Sequence, residues 1–149
     1  MPWDVKYVPE TDTVELKHSG GLSAQDTKEQ AQVVLCLMKE TQAARFLLDY
    51  SETISRVPDE DVRELPDYCV RLGAPLHLKV ALVVPVSLFN IASFQLFARV
   101  ARERGFSVEL LPTRECAQAW LAAQPAVLQP QPEASEPPAP LAASVSAGW

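Results

Sequence analysis

The residues from Arg45 to Pro58 read Arg-Phe-Leu-Leu-Asp-Tyr-Ser-Glu-Thr-Ile-Ser-Arg-Val-Pro. A short apolar strand, Phe46 to Leu48, delivers a carboxylate, Asp49, and a hydroxyl-rich turn follows with Ser51, Thr53 and Ser55. In open α/β sheets, ligands and modifications gather on such strand-to-helix loops at the carboxyl ends of strands. Two chemistries suit Asp49. It could accept a phosphoryl group, or it could hydrogen-bond nearby amides and fix the loop. The first needs an acidic metal-binding pair after the first strand and a lysine ending the last one. The chain has Pro9-Glu10 and Leu111-Pro112-Thr113 at those places, so Asp49 reads as an anchor.

Ser51, Thr53 and Ser55 are candidates for phosphorylation, because a helix N-terminus stabilises a phosphate. They are equally suited to capping that helix. The local charge opposes a phosphate. Residues 45–67 carry seven acids (Asp49, Glu52, Asp59, Glu60, Asp61, Glu64 and Asp67) against Arg45, Arg56 and Arg63, a net of −4. Asp49, Ser51, Glu52, Thr53, Ser55, Asp59, Glu60 and Asp61 form the expected protein-binding surface, suited to a basic partner, although the acids also fit a solvated helix face.

Other chemistry finds no apparatus. His18 and His77 have no ligand at metal-binding spacing. Gly20-Gly21 is not a phosphate-binding loop. Neither a Ser-His-Asp set nor a catalytic carboxylate pair stands out. The reading is a non-enzyme with no cofactor and no metal.

Composition narrows the class. A chain of 149 residues fits one domain with a sizeable core. A net charge of −6 argues against nucleic acid or an anionic membrane as partner. No 18-residue apolar run suggests a transmembrane segment, and the N-terminus lacks a secretory pattern. Cys36, Cys69 and Cys116 are scattered, which predicts reduced packing thiols in a cytoplasmic protein. Composition changes near Gln124. Residues 1–124 read as the folded domain, and the Pro/Ala-rich stretch 125–149 reads as a disordered tail ending in Trp149.

The elements that must position Asp49 follow from periodicity. Trp3 to Val8 and Val14 to His18 read as a hairpin ended by Gly20-Gly21. Ser23 with Asp26 starts a helix with the stripe Ala31, Val34, Leu35 and Met38. Pro58 and three acids start a second helix. Val62, Leu65, Cys69 and Leu72 face inward, and Gly73 stops it. Pro66 requires either a kink or a short turn before the main helix. Leu78 to Val84 is a buried strand. Ser87 opens a third helix with Ile91, Phe94, Ala98 and Ala101 inside, ended by Gly105. Val108 to Leu111 is the fifth strand, and Thr113 caps a last helix with Ala117, Trp120 and Leu121 inside. The order β-β-α-β-α-β-α-β-α predicts an α/β fold with a mixed, mainly parallel five-stranded sheet. Phe89, Phe94 and Phe97 exceed what one sheet face absorbs, which points to a hydrophobic groove or a homodimer face.

Three stretches together resemble the STAS domain, the fold of bacterial anti-sigma-factor antagonists, in its SpoIIAA-like (STAS/SEC14-like) branch. They are Phe46-Leu-Leu-Asp49, the strand Lys79 to Pro85 with the helix Phe94 to Arg104, and Val108-Glu-Leu-Leu followed by Thr113 to Leu121. The resemblance covers about residues 3–123. It implies a regulatory module of bacterial signalling that works by protein–protein contact, and its SEC14-like side implies a hydrophobic small molecule or lipid as an alternative ligand. Regulatory members carry Asp-Ser-Ser-Gly where this chain has Asp49-Tyr-Ser-Glu-Thr.

Overall fold

A computed structural model describes residues 2–84 and 88–123, apart from the side chains of 88–90. The expected cap at Ser87, the Phe89 side chain and the stretch 125–149 lie outside the described residues.

The chain runs β1 (Trp3–Val8), β2 (Thr13–Leu22), α1 (Ala24–Thr41), β3 (Arg45–Ser55), α2 (Asp59–Arg71), β4 (Lys79–Val83), α3 (Leu88–Glu103), β5 (Ser107–Leu111) and α4 (Arg114–Ala123). The sheet order is β1-β2-β3-β4-β5, so each strand lies beside its neighbour in sequence. Only β1 and β2 pair antiparallel, and the other three pairings are parallel. This is the mixed, mainly parallel α/β sheet that the order of elements predicts.

Alternation along the strands builds two cores. Phe46 and Tyr50 of β3, with Val14, Leu16, Val80, Leu82 and Val108, face α1, α2 and α3. Leu47, Ala81 and Val83 face the other way, where Ala117 and Leu121 of α4 cover them. Three helices thus cover one face, and α4 alone lies over β3, β4 and β5 on the other.

Local signals explain most boundaries. Ser23 and Asp26 form a reciprocal capping box at the start of α1. Both α2 and α3 end in Schellman turns on a left-handed glycine. Ala74 N–H reaches the Cys69 carbonyl beside Gly73, and Phe106 N–H reaches the Ala101 carbonyl beside Gly105. Pro58 lies just before α2 as its N-cap, one place earlier than the first-helical-residue reading. Helix α2 runs unbroken through Pro66, which is buried. Helix α1 ends on Gln42 at φ 62°, a left-handed conformation that costs a side-chain residue energy. Gln42→Gly is therefore expected to stabilise the fold by about 0.5–1 kcal/mol, measured by urea unfolding.

Two strand boundaries correct the sequence reading. Gly20-Gly21 does not end the hairpin, because β2 continues through Leu22. The stretch Ser51 to Ser55 is not a turn, because β3 continues to Ser55 and pairs with Ser19–Leu22. The register shifts between them: β3 advances from Asp49 to Glu52 while β2 advances only from Lys17 to Ser19. This bulge places an extra residue on β3 and redirects the side chains beyond it. Glycine is depleted in strands and serine favours turns, which masks the extension in the sequence.

Candidate functional site

Asp49 sits at the end of the β3–β4 pairing, on the α4 face, and is 1 % exposed. One carboxylate oxygen accepts from the Ser51 N–H at 3.0 Å and the Ser51 hydroxyl at 2.7 Å. The other accepts from Arg114 Nη1 at 3.2 Å and lies 3.6 Å from Lys17 Nζ. Arg114 Nη2 donates to Glu15 Oε1 at 2.7 Å. Parallel pairing explains the assembly, since Lys17 is the direct cross-strand partner of Asp49 and Glu15 that of Leu47. Burial by itself would raise the Asp49 pKa. The Ser51 hydroxyl and amide, then Arg114 and Lys17, outweigh it and hold the carboxyl below its ordinary value.

Arg114 is the first residue of α4, after the cap in which Thr113 Oγ1 accepts the Cys116 N–H. A cation at the positive end of a helix dipole is unfavourable. Two strand carboxylates offset that cost and fix the helix start to the sheet. At the other end, Arg45 Nε donates to the Leu121 carbonyl at 3.3 Å. Asp49 is thus an anchor, as its sequence context suggests, but what it anchors is the bulge of β3 and the start of a helix, since the expected loop is strand.

The remaining expected residues separate by exposure. Thr53 is 2 % exposed and its hydroxyl donates to the His18 carbonyl. Asp49 and Thr53 are therefore corrected from surface contacts to interior ones, because their polar atoms are used inside the fold. Ser51 and Ser55 are half-buried, and neither caps α2. Glu52, Asp59, Glu60 and Glu64 are exposed, and Asp61 is partly so. Exposed Ile54 lies on β3 beside Glu52. The cysteine reading is also corrected. Only Cys69 packs inside, where burial pushes its thiol up to about 11, whereas Cys36 and Cys116 are exposed because they fall on outer helix faces.

A second polar group lies inside the three-helix face. His18 is fully buried. Its Nε2 donates to the Gly21 carbonyl at 3.0 Å, and its Nδ1 accepts from Gln30 Nε2 at 2.9 Å. Both ring nitrogens are thus engaged within the fold. Tyr50 completes the chain by donating to Gln30 Oε1 at 2.7 Å. Its ring stacks at a tilt on Phe94, with centroids 5.4 Å apart. Gln30 occupies the apolar stripe of α1, one turn before Val34, and a polar residue in that position is the sequence signal for this network.

Beside Tyr50 and Gln30 the side chains leave a cavity of about 130 Å³ between the sheet and α1, α2 and α3. Phe94, 5 % exposed, and Phe97, half-buried, both line it. No helix among the described residues is long and apolar enough to cross a membrane.

No family model matches the chain, and no curated protein matches its sequence. Solved structures do match. The structure of the anti-sigma factor antagonist SpoIIAA in its unphosphorylated form is similar with a TM-score of 0.50 and 15% identity, over 82% of this chain and 99% of that one. An uncharacterized DUF3478-family protein with a SpoIIAA-like fold from Shewanella loihica is similar with a TM-score of 0.51 and 16% identity, over 80% and 93%. The fold of this chain is SpoIIAA-like.

Proposed function

We propose that this chain is a non-enzymatic regulatory module that works by docking a protein partner, the mode of action suggested by its fold-mate's description as an anti-sigma factor antagonist. The observation that carries the reading is the division of labour among the acids of β3 and α2. Asp49 has both oxygens engaged within the fold, while Glu52 of β3 and Asp59, Glu60 and Glu64 of α2 are exposed, as is Ile54. A carboxylate with both oxygens engaged and its pKa held below the ordinary value is a poor nucleophile and a poor proton acceptor. Exposed acids on neighbouring segments suit a partner with a basic surface.

The working surface comprises Ser51, Glu52, Ile54, Ser55 and the first turn of α2 from Asp59 to Asp61, extended by Glu64. Modification belongs to the same reading. The Ser51 hydroxyl is 2.7 Å from Asp49. A phosphate there must break that bond and push against a buried negative charge, so it would alter the start of this surface.

The test is affinity capture with the purified chain, followed by mass identification and a binding isotherm for the captured protein. The variant Glu60→Lys/Asp61→Lys/Glu64→Lys is expected to weaken that isotherm at least tenfold, more strongly at low salt, while staying folded with the modestly lower melting temperature that cations at the α2 N-terminus bring. Equal affinity for the triple variant would overturn the acidic surface.

A further inference from the structure

We propose that the cavity beneath α1, α2 and α3 is a binding site for a small, uncharged, single-ring molecule carrying at most one polar substituent.

Size sets the class. The cavity measures about 130 Å³, and an engineered apolar cavity of about 150 Å³ in another protein takes up benzene. A single aromatic ring fits this volume. A long acyl chain does not.

The walls set the chemistry. Val62, Leu65, Phe94 and Phe97 supply apolar surface from two helices, and none of the described lining residues carries a full charge. Burial raises both lining groups that could ionise. Cys69 is pushed up to about 11, and Tyr50 is raised well above the ordinary phenol value. The site is neutral at physiological pH, and a charged ligand would meet no counter-ion there.

A polar handle sets orientation. Tyr50 is 8 % exposed and Gln30 2 %, and both line the cavity. Tyr50 gives its hydrogen to Gln30. Its oxygen keeps lone pairs that can accept from a ligand hydroxyl or N–H. Ring faces of Tyr50 and Phe94, already tilted against each other, offer stacking surface. Ser55, Leu65 and Phe97 line the cavity and are half-buried, so it approaches the surface between β3, α2 and α3.

The experiment titrates the full chain with benzene, phenol and octanoate while following methyl resonances by carbon–proton NMR. Benzene and phenol are expected to shift the methyls of Leu48, Val62 and Leu65 in a saturable way, and octanoate to leave them in place. Cys69→Leu, which adds volume inside the cavity, should weaken benzene binding at least tenfold. Tyr50→Phe should keep benzene binding and weaken phenol at least threefold, which preserves the test if Cys69→Leu does not fold. Linear shifts spread over surface methyls, no shifts, or octanoate saturating ahead of benzene would each overturn the proposal. So would undiminished benzene binding in a folded Cys69→Leu protein.

Discussion

Asp49→Ala is expected to lower the unfolding free energy by about 3 kcal/mol, read as a lower urea midpoint with an unchanged slope. The carboxylate is almost fully buried and accepts four favourable contacts from Ser51, Arg114 and Lys17. Removing it leaves the Ser51 amide and hydroxyl without their acceptor and takes one carboxylate from Arg114 and Lys17. Arg114 retains Glu15 and is partly exposed, which keeps the loss at the low end for such pairs. The same contacts give stability a pH dependence. Because the folded pKa is held below the unfolded value near 4, the contribution is complete above that value. It is lost as pH falls further, through the folded pKa. Asp49→Asn should remove this part of the acid limb while keeping side-chain volume. An acid limb identical in wild type and Asp49→Asn would show that Asp49 is not its source.

Gln30→Leu is expected to destabilise by about 2–5 kcal/mol, although it makes the core more apolar. Gln30 is the shared partner of His18 and Tyr50, so its loss leaves a ring nitrogen and a phenol hydrogen buried without a partner. Each orphaned group costs about 1–3 kcal/mol. The control is a double-mutant cycle. Tyr50→Phe removes one orphan, so Gln30→Leu/Tyr50→Phe should be less destabilised than the sum of the single variants by about 1 kcal/mol or more. Simple additivity would mean that the Tyr50–Gln30 bond contributes little.

Much of the scaffold was legible in the sequence because short-range rules set it. The capping box at Ser23, the stop glycines Gly73 and Gly105, and the cap at Thr113 all act within a few residues. Asp49 is legible as an anchor because it ends the apolar run Phe46 to Leu48, although β3 itself continues past it. Its partners are not. Lys17 meets Asp49 only through the β2–β3 register, and Arg114 arrives from 65 residues away. Likewise, no local pattern tells whether Ser51 to Ser55 turn or extend, because the pairing of that segment with Ser19–Leu22 decides it. His18 and Gln30 stand 12 residues apart on different elements, and only folding brings them together.

The order of the sheet has a consequence for how the protein is made. Every strand pairs with the one synthesised just before it, so the sheet can grow at a single edge as the chain leaves the ribosome. Only α4 departs from this progression. It crosses to the opposite face and reaches back across 99 residues to Glu15. Closing so long a loop costs entropy, and it has a favourable outcome only once β2 and β3 are already in register. The docking of α4 is therefore expected to follow the pairing of β2 and β3.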